Sequence, residues 1–292
     1  MSAVHELDVY ASTDGAPQLS GATRDRVAVE APLLLRLTRG GVDAGEATLL
    51  MRTPGHDEEL VRGFLFSEGL LRGERDLLGL ARPDGLAGDE IGNVLVADLA
   101  SGAPGSLARF SLGSSSCGAC GKTSLSSLEV EGDLRGAALT IQDDVLRALP
   151  ERMAAAQPTF RATGGVHASA LFSPHGDLVL AREDVGRHNA LDKVVGWALR
   201  AGSLPLSSCV LLVSGRVSYD LAQKAILCGV PVLAAVGAPS SYAVALAARA
   251  GLTLVGFVRP GSHVVYTAPE RVARATSTAA SAASAASAAS AG

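Results

Sequence analysis

Two thiols stand two residues apart in Ser114-Ser115-Ser116-Cys117-Gly118-Ala119-Cys120-Gly121-Lys122-Thr123, a stretch with no large apolar side chain. Neither cysteine lies in an apolar run, so neither reads as a core residue. The small Ser, Gly and Ala neighbours leave both sulfurs accessible. Lys122 can stabilise a nearby thiolate, because positive charge lowers a thiol pKa from its free value of about 8.5. The pattern suits a reactive thiol pair, half of a zinc site, or an ordinary glycine-rich turn.

Sharper readings of the stretch fail on single residues. Gly121-Lys122-Thr123 matches the end of a phosphate-binding P-loop, but Ser116 stands where that motif needs its first glycine. A structural zinc site needs about four nitrogen or sulfur ligands. The remaining cysteines, Cys209 and Cys228, sit singly in apolar surroundings and read as packing residues. His56 and Glu58 imitate the first half of a zinc-deaminase motif, but Ser116, not proline, precedes Cys117. No metal site is expected.

A second set of residues could hold an anion. In parallel α/β sheets, ligands bind beyond the carboxyl ends of the strands. Three such ends read Ser214-Gly215-Arg216-Val217-Ser218, Gly237-Ala238-Pro239-Ser240-Ser241 and Phe257-Val258-Arg259-Pro260-Gly261-Ser262. They offer small residues, hydroxyls, free backbone N–H groups and two arginines, and the first two open helices whose N-termini favour anions. Ordinary turn and capping chemistry uses the same residue types. Glu183, Asp184, Arg187, His188, Asp192 and Lys193 form a dense polar cluster leading into a helix. There His188 could carry a proton or orient a ligand, or the cluster could be a salt-bridged surface helix. His167 follows Gly164-Gly165 at a strand start, where the glycines permit close approach of a ligand.

The elements that must position these groups follow from the apolar pattern. At 292 residues, with 48% hydrophobic residues and 33 glycines, the chain is expected to fold as one large or two modest α/β domains. Residues 1–25 are polar and aperiodic and read as a loose arm. Residues 27–37 form an apolar run broken by Pro32, 45–51 a strand, 52–55 a turn, and 56–71 an amphipathic helix. The acidic Asp57, Glu58 and Glu59 suit the start of that helix, which is the preferred reading over catalysis. Strands at 93–99 and 107–112 lead into the cysteine loop, and a helix at 143–156 stops before Pro158. A boundary near 140 divides an N-terminal α+β domain (26–140) from a C-terminal α/β domain (141–274). The second half alternates strands at 178–182, 209–213, 231–236 and 252–258 with helices at 190–200, 219–228 and 242–250, as in a parallel sheet covered on both faces. Residues 275–292 repeat Ser-Ala-Ala and read as a disordered tail.

The net charge of −4 argues against general nucleic-acid binding. No signal peptide or uninterrupted transmembrane stretch is evident, so a cytoplasmic protein with reduced cysteines is expected.

Five blocks in this order resemble the FdhD family of formate dehydrogenase accessory proteins, which are sulfur carriers. The blocks are Arg52-Thr53-Pro54-Gly55-His56-Asp57 with Gly63-Phe64-Leu65; Ser115 to Lys122; Thr163-Gly164-Gly165-Val166-His167; Glu183 to Lys193; and Ser214-Gly215-Arg216 through Leu252 to Phe257. The resemblance spans residues 27–271. It implies a sulfurtransferase that takes persulfide sulfur from a cysteine desulfurase and passes it to the molybdenum (or tungsten) bis(molybdopterin guanine dinucleotide) cofactor before insertion into formate dehydrogenase. It maps the persulfide to Cys117, with Cys120 as partner, and the cofactor-binding segment to Phe257, Val258, Arg259, Pro260, Gly261 and Ser262. Many relatives end that segment in a basic residue, so Ser262 marks a phosphate contact either lost or supplied by Arg259. The resemblance also implies a cytidine-deaminase-like, three-layer C-terminal half and a homodimer. Ser214, Gly215, Arg216, His167, Arg187 and His188 are the further cofactor-binding candidates. Two other functions fit the residues: a thiol-disulfide oxidoreductase, and a non-catalytic cofactor-binding chaperone of formate dehydrogenase.

Overall fold

The computed structural model describes residues 2–9, 23–107 and 132–273. Cys117, Cys120, nearly all of the expected 107–112 strand and the Ser-Ala-Ala tail lie outside them. Among the described residues the chain forms a four-stranded sheet, a six-stranded sheet, two two-stranded ribbons and six α-helices.

The N-terminal half begins with β1 (Val4–Val9) and β2 (Thr23–Ala28), an antiparallel ribbon. The expected loose arm therefore gives way to strand at Val4–Val9. Alternating Glu6/Arg26 and Asp8/Arg24 charges across the ribbon favour this pairing over a solvated coil. β3 (Ala31–Arg39) and β4 (Val42–Arg52) form a hairpin, and β3 also pairs in parallel with β6 (Val94–Leu99), which β5 (Leu77–Ala81) flanks. Period-two alternation buries Leu33, Leu35 and Leu37 of β3. Onto that face packs α1 (Asp57–Ser67), whose Leu60, Val61, Phe64 and Leu65 recur at helical spacing. The helix is shorter than the 56–71 expected, because Gly69 takes a positive φ of 75° and the Leu70 N–H donates back to the Leu65 carbonyl.

The second half is a mixed sheet in the order β13-β12-β11-β10-β8-β9. β10 (Val210–Val213), β11 (Val232–Ala235) and β12 (Thr253–Arg259) run parallel. β8 (His167–Phe172), β9 (Leu178–Asp184) and β13 (Ser262–Thr267) are antiparallel to their neighbours, so the all-parallel expectation holds only for the middle three strands. The two tight turns, Pro174-His175-Gly176-Asp177 and Pro260-Gly261, decide this, since a short turn can only join antiparallel strands.

Two cores cover the sheet's faces. Leu211, Val213, Leu233 and Leu254 meet α4 (Arg187–Arg200), α5 (Tyr219–Leu227) and α6 (Ser241–Ala250). Val210, Leu212, Val232 and Phe172 meet α2 (Asp143–Ala155). A short α3 (Pro158–Thr163) leads into β8. β7 (Ile141–Gln142) pairs in parallel with β14 (Val272–Ala273), tying the start of this half to its end. Leu134 lies in the second half's core, its N–H bound to the Ala250 carbonyl.

Candidate functional site

The carboxyl ends of β10, β11 and β12 meet in a row. The Gly237 N–H donates to the Gly215 carbonyl (3.1 Å), and the Phe257 N–H donates to the Gly237 carbonyl (3.2 Å). This stacking needs glycine: a Cβ on Gly237 would sit 2.8 Å from the Gly215 carbonyl oxygen and 2.9 Å from the Arg216 nitrogen. Phe257 itself takes a positive φ of 55°, uncommon for an aromatic residue, and stands 42% exposed at the end of the row. Three of the sequence candidates, Gly215, Arg216 and Phe257, are thereby joined through backbone.

His167, Arg187, His188 and Ser214 gather beside the same row. Ser214 accepts a hydrogen bond from the Ala168 N–H (2.9 Å), and its hydroxyl lies 3.5 Å from His167 Nδ1. A Cβ on Gly215 would stand 3.4 Å from His167 Nδ1 and 3.8 Å from Arg187 Cδ, so both side chains flank this glycine. Arg187 opens α4, and its buried Nε has no hydrogen-bond partner among the described residues. A buried guanidinium nitrogen left unpaired is costly unless a ligand meets it.

His188 is held from behind. Its Nε2 lies 3.2 Å from Asp220 Oδ2, so the neutral ring donates from Nε2 and keeps Nδ1 as an acceptor. Burial lowers its pKa to about 4; Asp220 opposes this, while Lys224 and Arg187 add to it. His167 is lowered as well, by burial first and then by Arg187. Both imidazoles are therefore neutral at neutral pH. The folded His188 pKa lies below the ordinary 6.5. Between pH 6.5 and about 4 the unfolded chain binds a proton that the folded chain refuses. The stabilisation is complete above pH 6.5 and is lost as pH falls toward 4. For this one group the loss is on the order of 3 kcal/mol. Urea titrations at pH 7 and pH 4.5 on wild type and His188→Gln measure it; an equal drop in both proteins excludes His188 as the source.

The segment of residues 257–262 is divided by the fold. Val258 is fully buried against the α2 side of the sheet, so its side chain cannot reach a ligand. Arg259, Pro260, Gly261 and Ser262 form the exposed β12–β13 turn, closed by Arg259 Nε donating to Ser262 Oγ (2.8 Å). Ser262 thus holds the arginine that could substitute for the missing basic residue.

Within the polar cluster at the start of α4, Asp184, Asp192 and Lys193 are buried, while Glu183, Arg187 and His188 are partly exposed. Lys193 Nζ pairs with Asp184 (2.7 Å) and donates to the Thr53 carbonyl (2.9 Å); both charged side chains are essentially inaccessible. Asp184 also accepts from the Thr53 N–H and from Asn189. Asp192 pairs with Lys224 through both carboxylate oxygens and accepts from Ser67 of α1. Burial disfavours the charged Lys224, but Asp192 and Asp220 outweigh it and raise its pKa. Asp220, Lys224 and Thr53 were not among the sequence candidates. The only signal for Asp220 and Lys224 was their charge on a mostly apolar helix.

The early acidic cluster likewise serves tertiary structure. Asp57 accepts from Arg52 and Arg82, and Glu59 from Arg182 and Arg200. Cys209 and Cys228 pack as expected. Burial raises the Cys209 thiol, and it pushes the Cys228 thiol up to about 12, so neither supplies a thiolate at neutral pH.

A model of the FdhD/NarQ family matches residues 28–273. Over 263 residues the chain is 48% identical to the sulfur carrier protein FdhD of Streptomyces avermitilis, covering 85% of this chain and 89% of that protein. Over 258 residues it is 45% identical to the sulfur carrier protein FdhD of Mycobacterium tuberculosis, covering 85% and 92%. Its fold is similar to the crystal structure of a putative formate dehydrogenase accessory protein from Desulfotalea psychrophila, with a TM-score of 0.71 at 24% identity over 93% of this chain and 100% of that one. The chain belongs to the FdhD/NarQ family.

Proposed function

We propose that this protein is a sulfur carrier serving formate dehydrogenase, with Cys117 as the carrying thiol. The observation that supports it most is the Cys117-Gly118-Ala119-Cys120 pair in a chain of this family. The Cys117 thiolate attacks the outer sulfur of a cysteine desulfurase persulfide. A Cys117 S–S bond forms, the donor S–S bond breaks, and the donor cysteine leaves as thiolate. No outside oxidant is needed. For delivery, the Cys120 thiolate attacks the inner Cys117 sulfur; a Cys117–Cys120 disulfide forms and the carried atom departs as hydrosulfide.

The sulfur's destination in this reading is a bound substrate, the molybdenum bis(molybdopterin guanine dinucleotide) cofactor. The strand-end residues fit a phosphate-bearing molecule. Arg187 Nε is a buried donor awaiting an acceptor, and the Gly215–Gly237–Phe257 row lets a ligand approach backbone. Neutral His167 and His188 offer hydrogen bonds without added charge. We read the three-layer second half as deaminase-like, the protein as cytoplasmic, and its assembly as a homodimer. Among the described residues no helix is long and apolar enough to cross a membrane. Val264 and Tyr266, exposed on the edge strand β13, support pairing of two chains.

Intact mass spectrometry after incubation with an active cysteine desulfurase and cysteine tests the carrier role. The expected result is one added sulfur, removed by reductant, present in Cys120→Ala and absent in Cys117→Ala. No adduct on the wild type would favour a non-catalytic chaperone, and turnover of a disulfide substrate would favour an oxidoreductase.

A further inference from the structure

A cavity of about 650 Å³ lies where α1 begins, between the two halves and away from the strand-end loops. α4 joins the two places: Arg187 at its first turn flanks Gly215, and Arg200 at its last turn lines the cavity. Fourteen residues of helix separate those ends by about 20 Å.

The walls carry more positive than negative charge. Four guanidinium groups, those of Arg52, Arg82, Arg182 and Arg200, face three carboxylates, those of Asp57, Glu58 and Glu59. Asp57 is shared by Arg52 (2.9 Å) and Arg82 (2.7 Å), and Glu59 by Arg182 (2.6 Å) and Arg200 (3.3 Å). The third acid, Glu58, is engaged by Arg62 at 3.1 Å. Glu74 also engages Arg62, at 3.0 Å, so one positive charge is left over. The two arginines with spare donors are the half-exposed ones. Arg200 makes a single 3.3 Å hydrogen bond among the described residues, while Arg82 uses its two terminal nitrogens on Asp57 and the Gly92 carbonyl.

The backbone adds to this. His56 precedes α1 with φ 56°, and no side chain caps the helix, so the first-turn N–H groups lack the acceptor that a Ser or Asp would bring. Burial and then the Arg182 charge lower the His56 pKa, opposed by Glu59, in keeping with a positive surround.

We propose that this cavity is a second ligand site, independent of the strand-end loops, that takes a phosphate-class anion. Forked guanidinium donors match a tetrahedral oxyanion, and a negative ligand balances the local excess. The volume falls in the small-molecule range and exceeds what a bare phosphate fills. The phosphoryl group therefore belongs to a larger ester, with free phosphate as the competing source.

Isothermal titration calorimetry on the full chain tests it, with inorganic phosphate and ribose 5-phosphate as separate probes in chloride buffer. The proteins are wild type, Arg82→Ala, Arg200→Ala, Arg200→Lys and Arg259→Ala, each with its thermal midpoint recorded. A saturable binding component is expected that is weakened about tenfold or more by Arg82→Ala and Arg200→Ala, less by Arg200→Lys, and unchanged in Arg259→Ala. Tighter binding of ribose 5-phosphate identifies an ester ligand, and equal affinity identifies free phosphate. No saturable heat with either probe overturns the proposal. So does binding that neither Arg82→Ala nor Arg200→Ala weakens in folded protein, or that Arg259→Ala removes.

Discussion

Gly196→Ala is expected to cost about 3 kcal/mol or more, enough to lower the thermal midpoint well below that of the wild type or to abolish soluble protein. α1 and α4 cross through two glycines. A Cβ on Gly196 would lie 1.8 Å from the Glu59 carbonyl oxygen and 2.8 Å from the Gly63 nitrogen, and a Cβ on Gly63 would lie 1.8 Å from the Asp192 carbonyl oxygen. The pairing of Glu59 with Gly196 and of Gly63 with Asp192 means the helices run antiparallel with backbones in contact. The obstructing atoms are main chain, so no rotamer change relieves the clash. One added methyl must push the helices apart and loosen every contact that spans the halves: Ser67 with Asp192, Arg182 with Glu59, Lys193 with the Thr53 carbonyl. Gly63→Ala should behave alike. The comparison is Gly202→Ala just past α4, where no atom crowds a new Cβ but φ is 63°, so only backbone strain of about 1 kcal/mol is added. Thermal unfolding of the three variants decides the matter. A Gly196→Ala midpoint within about 2 °C of wild type would mean that the helices are not in backbone contact.

Lys224→Met should destabilise by about 3–5 kcal/mol, because it leaves Asp192 buried and unpaired with Asp220 near by. The lysine is 4% exposed and binds both Asp192 oxygens at 2.7 Å. The loss has a second consequence at the candidate site. Lys224 is one of the charges that hold the His188 pKa down, so removing it should let His188 titrate above its native value of about 4. NMR titration of the imidazole reads this separately from stability. Adding Asp192→Asn should restore much of the stability, since a neutral amide no longer demands a counter-charge. A single variant that unfolds within about 1 kcal/mol of wild type would show that Asp192 takes up a proton and needs no partner.

Several features were legible in the residues alone because they depend on local pattern. The apolar strands at 210–213, 232–235 and 253–259 and the helices between them follow from short continuous hydrophobic runs alternating with helical periodicity. The small strand ends at Ser214 and Gly237 were readable for the same reason, and so was the packing role of Cys228. The family resemblance rests on ordered blocks that need no coordinates. The mixed character of the sheet was less accessible, since strand direction depends on which strands find each other, and apolar composition is alike for parallel and antiparallel neighbours. Only the tertiary structure decided the partners of the charged residues. Glu59 reads in sequence as one of three acids at a helix start; in the fold it holds Arg182, 123 positions away. Asp192 and His188 share a helix face, yet each takes its partner from α5, Lys224 and Asp220 respectively. A side chain's charge and spacing tell which local roles are open to it. Whether it ends paired, buried or facing a cavity depends on what distant segments bring, and desolvation makes that pairing obligatory only once the chain has folded.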